Sequence, residues 1–165
     1  MEHPLPGSPA QKSVLFVCLG NICRSPTGEG LFQQLVESRN LASQFIVDSA
    51  GTAGYHIGKL PDPRMREAAQ RRGLELTSRS RKITRSDLEI FDLVIAMDSE
   101  NFRDIQSLHE EPAAAIKMLS DFLGDEWPTQ VPDPYFGGEA GFEYVLDMIE
   151  AACPQILDDL LATEP

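Results

Sequence analysis

Two cysteines and an arginine stand close together near the start of the 165-residue chain, within SVLFVCLGNICRSPTGE at residues 13–29. Cys18 and Arg24 have the spacing C-x5-R, and Cys23 lies between them. A thiolate is a strong nucleophile, and a guanidinium fork can grip two oxygens of a phosphoryl group. Such a pair can do chemistry only if something aims both at one point. Before it runs Val14-Leu15-Phe16-Val17, an apolar tetrad β-branched at both ends, as expected of a strand buried on both faces. After it comes Ser25-Pro26, a good N-cap residue followed by proline, which predicts a helix start. The loop between holds Gly20 and Asn21, residue types that accept left-handed backbone angles. Strand, tight loop and helix start together form an oxyanion cradle, because loop N–H groups and the free N–H groups of the helix converge on negative charge. The same field favours Cys18 as the thiolate. C-x5-R alone is a weak motif, and a lone cysteine at a strand end is most often simply packed. The frame around the motif is what makes the phosphate-loop reading specific.

The loop VCLGNICRSP resembles the active-site loop of the low-molecular-weight protein tyrosine phosphatases. DSAGT at 48–52 and DPYF at 133–136 extend the resemblance over nearly the whole chain. It implies a protein tyrosine phosphatase working through a phosphocysteine intermediate on Cys18. Arg24 would bind the phosphoryl group, and Asp133 would serve as general acid and then general base. From sequence alone Asp133 is one of 26 acids, so its role comes from the resemblance. Leu19, Gly20, Asn21, Ile22, Cys23 and Ser25 would surround the substrate phosphate, with Tyr55 and Tyr135 flanking the ring. The Ser25 hydroxyl would point at the Cys18 sulfur, and Asn21 would pin the loop with Ser49 as partner. Ser78 stands where many relatives have a histidine three residues before Arg81, so the far end of that polar network departs from the family pattern. Tyr135-Phe136 replaces the two adjacent tyrosines of eukaryotic relatives, which removes the second phosphorylation position and points to a prokaryotic-type member. Relatives with a second loop cysteine are thought to close a disulfide under oxidation, and this gives Cys23 an expected redox role.

Composition sets bounds on the rest. The length suits one domain, with residues 1–12 as a polar, proline-rich disordered leader and 13–163 as the catalytic domain. No signal peptide opens the chain, and no apolar run reaches a membrane span. Three cysteines suit a reducing cytoplasm, and the histidines His3, His56 and His109 are too far apart to suggest a metal site. No metal and no cofactor is expected. A net charge of −12 argues against nucleic acid and anionic membrane as partners. The expected partners are phosphotyrosine proteins, with free phosphate as a product inhibitor of a monomeric enzyme. Eight of the fourteen Lys and Arg residues fall between Arg64 and Arg85, either a patch for acidic phosphoprotein segments or a solvated helix face.

Apolar runs at 14–17, 45–47, 93–97 and 114–119 read as strands, and they alternate with helical patterns at 26–39, 63–72, 87–91, 100–108 and 139–161. Pro154 should kink or interrupt the last helix. Alternation of this kind predicts an α/β fold: one three-layer domain, a four-stranded parallel sheet with helices on both faces. Ligands bind such sheets beyond the carboxyl ends of the strands. Cys18, Asp48-Ser49 and Asp98 follow strands in this reading, so they should gather at one edge.

Two rival functions share parts of the pattern. An arsenate reductase can use this fold and loop, but it needs further thiols to relay a disulfide outward, and residues 80–100 hold no cysteine. The third thiol, Cys153, lies in the last helix. A phosphopeptide-binding module would need neither a nucleophile nor an acid.

Overall fold

The structure is a computed structural model that describes residues 11–134 and 138–162. Four strands form one parallel sheet in the order β2-β1-β3-β4. They are β1 (Lys12–Cys18), β2 (Phe45–Gly51), β3 (Leu93–Ala96) and β4 (Ala115–Met118). The helices are α1 (Arg24–Ser38), α2 (Pro63–Gln70), α3 (Asp87–Ile90), α4 (Ser99–Gln106) and α5 (Gly138–Ala162). The three-layer α/β architecture agrees with the reading of the sequence.

β1 shows why. Its side chains alternate between two apolar layers, as the period of a strand requires. Val14 and Phe16 join a core built with α1, α2 and α5. Leu15 and Val17 join a second core with Val94, Ala96, Leu88 and Ile105 on the opposite face. All four are fully buried, and each such side chain contributes about 1.5–3 kcal/mol of burial free energy. From β1 the chain moves outward to β2, then returns across β1 to β3. β1 is therefore the point where the winding reverses, and a crevice opens at its carboxyl end, beside Cys18.

Four local expectations need correction. β2 does not stop at Val47: its ladder on β1 continues through Leu15↔Asp48, Phe16↔Ser49, Val17↔Ala50 and Cys18↔Gly51. Polar side chains at 48 and 49 mimic a loop in sequence, yet here both find long-range polar partners at the sheet edge. Helix α1 begins at Arg24, not Pro26, with Cys23 at the N-cap and no capping side chain. Ser25 is thus inside the helix, its hydroxyl committed elsewhere. Pro154 does not interrupt α5, which runs unbroken for 25 residues. Proline there removes one N–H and crowds a carbonyl, but Ile149, Ala152, Cys153, Ile156, Leu157 and Leu160 are all buried, and their packing holds the helix together. Lys12, assigned to the leader, is the first residue of β1.

α1 lies close on β1 because it carries Gly28 beneath Phe16. A Cβ on Gly28 would sit 2.6 Å from Cδ1 and 2.8 Å from Cγ of Phe16, which also packs on Phe32 at 6.1 Å between ring centroids. Alanine in a helix interior normally gains up to about 1 kcal/mol over glycine. Forcing a methyl into a filled core costs about 1–3 kcal/mol. The clash should win, so Gly28→Ala is expected to lower stability in urea unfolding. A variant as stable as the wild type, or more so, would refute this account of the α1–β1 contact.

Candidate active site

The loop from Cys18 to Arg24 is held by its carbonyl groups. Thr52 N–H donates to Cys18 O (2.9 Å), Ala53 N–H to Leu19 O (3.0 Å) and Ser80 Oγ to Gly20 O (3.0 Å). Asp62 N–H donates to Ile22 O (2.8 Å), and the Thr27 hydroxyl donates to Cys23 O (2.8 Å). A trans peptide sets the C=O of one residue opposite the N–H of the next. Carbonyls drawn outward to these donors therefore turn the following N–H groups, those of Leu19, Gly20, Asn21, Cys23 and Arg24, toward the loop centre. That is a nest for an anion. Asn21 makes the bend at φ 56°, a left-handed angle that asparagine tolerates; Gly20, the other candidate, is not left-handed. Gly51 allows the loop to lie against β2, since a Cβ there would be 2.7 Å from Leu19 O.

Cys18 is 3% exposed and faces the first turn of α1. Ser25 N–H donates to its Sγ at 3.4 Å, and Ser25 Oγ lies 3.0 Å from the same sulfur. This contact is where the expected N-cap hydroxyl is spent. Asn21 Nδ2 donates to Ser25 Oγ (2.8 Å) and to Ser49 Oγ (3.0 Å), while Asn21 Oδ1 accepts from Arg81 N–H (3.0 Å). Both amide hydrogens of Asn21 are given away, so each serine keeps its own hydrogen for its other partner. Ser25 turns its hydrogen to the sulfur. Ser49 donates to Glu29 Oε1 at 2.6 Å. The far end of the network, beyond Ser49, is therefore a carboxyl group. Glu29 escapes a sequence reading because nothing local distinguishes it among 26 acids.

Arg24 is 3% exposed. Its Nη1 donates to Asp98 Oδ2 (2.7 Å) and to Val131 O (3.1 Å), and Nη2 lies 3.8 Å from Asp133 Oδ2. Burial works against its charge, but Cys18, Asp98 and Asp133 outweigh that and hold the guanidinium above its usual range. Asp98 also caps α4, accepting from Asn101 N–H. Its place two residues past the third strand is the signal that puts it at this edge.

Cys18, Leu19, Gly20, Ile22, Cys23, Arg24, Tyr55, His56 and Asp133 line one cleft of about 320 Å³. Tyr55 is 73% exposed at its mouth. His56, unassigned from sequence, packs over the loop: a Cβ on Gly20 would be 3.0 Å from its Cδ2. Cys23 is buried, and burial, with Asp62, Cys18 and Asp133, pushes its thiol well above the ordinary range against the opposing pull of Arg24. Tyr135 and Phe136 lie outside the described residues. Among the described residues no group of acids, histidines and cysteines could hold a metal ion. A larger groove beside Trp127, about 830 Å³, holds neither a nucleophile nor an arginine.

Burial raises the Glu29 carboxyl above its usual range, with Asp48 adding to the effect, despite the Ser49 hydrogen bond, the Ser78 side chain and nearby Arg81. A carboxyl raised on folding contributes stability below its unfolded value and loses that contribution as pH rises through its folded value. Glu29→Gln should therefore gain stability relative to wild type between about pH 4 and pH 7. Urea unfolding of both proteins across that window reads the difference. A gap that is flat, or that closes as pH rises, would mean that the serine contacts outweigh burial.

A sequence model described as low molecular weight phosphotyrosine protein phosphatase matches residues 13–164. The human low molecular weight phosphotyrosine protein phosphatase is 39% identical over 152 residues, covering 90% of this chain and 96% of its own. The low molecular weight protein-tyrosine-phosphatase YfkJ of Bacillus subtilis is 41% identical over 147 residues, 88% of this chain and 93% of its own. Among solved structures, a protein tyrosine phosphatase from Entamoeba histolytica superposes with a TM-score of 0.88 at 40% identity, covering 92% of this chain and 97% of that one. With this loop, this sheet edge and these relatives, the chain belongs to the low molecular weight phosphotyrosine protein phosphatase family.

Proposed function

We propose that the protein hydrolyses phosphotyrosine and other aryl phosphate monoesters through a phosphocysteine intermediate on Cys18. The observation that carries this reading is the convergence on one cleft of a buried thiol, a buried arginine and a half-exposed carboxyl group. Arg24 and the loop N–H groups hold the three non-bridging phosphoryl oxygens and the charge that grows on them. The Cys18 thiolate attacks phosphorus, the P–O bond to the tyrosyl oxygen breaks, and Asp133 gives its proton to that oxygen. Asp133, now a carboxylate, takes a proton from water as the water attacks phosphorus. Cys18 leaves as the thiolate, met by the Ser25 hydroxyl and N–H. Phosphate bound by the same donors is a product inhibitor.

Leu19, Ile22, Tyr55 and His56 offer apolar and aromatic walls to a phenyl ring, and Tyr135 is assigned to the same wall on resemblance. The arsenate reductase reading lacks its relay: besides the loop cysteines there is only Cys153, buried in the core with α5. A binding module would have no use for Asp133 beside the nucleophile. No described helix is long and apolar enough to cross a membrane. The reading includes a monomer acting in the cytoplasm, where three free thiols persist.

Para-nitrophenyl phosphate and phenyl phosphate test the assignment together. Cys18→Ser should lose activity on both by about a thousandfold or more. Asp133→Asn should lose about 10²- to 10⁴-fold on phenyl phosphate, whose leaving group needs a proton, and much less on para-nitrophenyl phosphate. Substantial turnover by pure Cys18→Ser protein would remove the nucleophile assignment, and equal small losses on both esters would point to another acid.

Cys23 completes the proposal as a redox partner. Peroxide would oxidise the Cys18 thiolate to a sulfenic acid, releasing hydroxide. The Cys23 thiol would then displace the hydroxyl as water and close a Cys18–Cys23 disulfide, shielding Cys18 from further oxidation. Wild-type enzyme inactivated by peroxide should recover with dithiothreitol, and Cys153→Ser should behave the same way. Cys23→Ser should remain active before treatment but recover poorly after it. Full recovery of Cys23→Ser would leave Cys23 a purely structural residue.

A further inference from the structure

In a chain with 26 acids against 14 Lys and Arg, two of the acid-free stretches carry a cluster of cations. No Asp or Glu occurs between Asp48 and Asp62, nor between Glu75 and Asp87, while Lys59, Arg79, Arg81, Lys82 and Arg85 all fall there. The fold lays the two stretches side by side. Gly58 N–H donates to Ser80 O and Ser80 N–H to Lys59 O, each at 2.8 Å, and Arg79 Nη1 donates to Gly58 O at 3.0 Å. Lys82 forms a parallel bridge with Gly51 at the end of β2, next to Cys18 in the ladder. Both stretches are fastened to the phosphate loop, through Ser80 Oγ to Gly20 O and Arg81 N–H to Asn21 Oδ1.

The cations divide by partner. Arg64 pairs with Asp62, and Arg71 and Arg72 pair with Glu143, so three of the four arginines from 64 to 72 are matched within the fold. Arg81 turns inward to Asp48 and Asp87. Lys59, Arg79, Lys82 and Arg85 are exposed, and none has a carboxylate partner among the described residues; of the four, Lys59, Arg79 and Lys82 lie where the two stretches are fastened together. Tyr55 and Ile57, 73% and 61% exposed, sit on the loop that carries Lys59 and reaches the cleft.

We propose that Lys59, Arg79 and Lys82 form a basic rim that binds acidic residues flanking the phosphotyrosine, so that the enzyme selects acidic phosphopeptides. The proposal rests on the phosphatase reading above and names the substrate class of the same site. A tyrosyl phosphate seated on the loop brings its peptide out past Tyr55, over these three charges. In a protein of net charge −12, a local gap in the acids allows an acidic peptide to approach without repulsion at the point of contact.

The test compares phosphotyrosine peptides of equal length with glutamate or with serine on both sides of the phosphotyrosine, and para-nitrophenyl phosphate as a substrate that cannot reach the rim. Wild type should favour the glutamate peptide through KM, and added salt should shrink the preference. Each exposed charge pair is worth up to about fivefold, so Lys59→Gln with Lys82→Gln should raise KM for the glutamate peptide by about tenfold. Turnover of para-nitrophenyl phosphate should not change, and Lys59→Arg with Lys82→Arg should restore the preference. Equal kcat/KM on both peptides, with normal turnover of para-nitrophenyl phosphate, would overturn the rim alone. So would a preference that survives the double glutamine change, or a loss of para-nitrophenyl phosphate turnover in that variant. Wild-type protein inactive on all three substrates would overturn the phosphatase reading and this proposal with it.

Discussion

A buried guanidinium has to be answered by negative charge, and the Arg24 side chain draws three parts of the chain together to provide it. It comes from the first turn of α1, reaches Asp98 after β3, and contacts Val131 and Asp133 on the segment before α5. Removing one partner from a buried ion pair costs about 3–5 kcal/mol, because the remaining charge stays in the interior unanswered. The requirement explains why an acid must stand at position 98, two residues past a strand of Leu, Val, Ile and Ala. It also explains how the loop finds its acid: the guanidinium that would hold a phosphate also lies 3.8 Å from the Asp133 carboxylate.

Asn21 is the complementary constraint. One amide side chain uses both donors and its acceptor, on Ser25, Ser49 and the Arg81 N–H. Full use of those groups fixes the direction of every hydrogen bond around it, including the Ser25 hydrogen aimed at the sulfur. The same side chain belongs to the residue whose left-handed backbone shapes the nest. Its network ends on Glu29, which accepts from the Ser49 hydroxyl, so the polarity of the network is anchored by an acceptor. Arg81 then answers Asp48 and Asp87 beside it, and joins the loop to the second apolar core through the 83–91 segment.

Much of this was legible in the sequence wherever information is local. Val14 to Val17, Leu93 to Ala96 and the helix of 139–161 announce themselves by apolar runs and periodicity, and the parallel sheet follows from their alternation. The phosphate loop is legible because strand, Gly, Asn and Ser-Pro signals coincide within a few residues. What is lost is what depends on distant partners. Asp48 and Ser49 look like loop residues until Arg81 and Asn21 arrive from elsewhere to satisfy them inside a strand. Ser25 looks like a helix cap because its hydroxyl has that chemistry, and only the nearness of Cys18 shows a better use for it. Pro154 looks like a break because its effect is local and certain, while the burial that overrides it is spread over the whole of α5. Asp133 and Glu29 are single carboxylates whose meaning is positional.

The acidic balance of the chain and its anionic substrate class are reconciled by distance. At physiological ionic strength, charges more than about 8 Å apart through solvent are largely screened. Many of the acids are exposed to solvent, and several are already matched, such as Glu143 and Asp147 by Arg71 and Arg72. At the base of the cleft Cys18 and Arg24 are buried, so the guanidinium and the loop N–H groups act at short range where solvent screens them less than at the surface. Net charge therefore controls what the surface attracts from afar, whereas the loop controls what binds. On the proposed reading, a chain of net charge −12 would still hold a phosphoryl dianion, because the carbonyls of Cys18, Leu19, Gly20, Ile22 and Cys23 are drawn away to donors elsewhere in the fold.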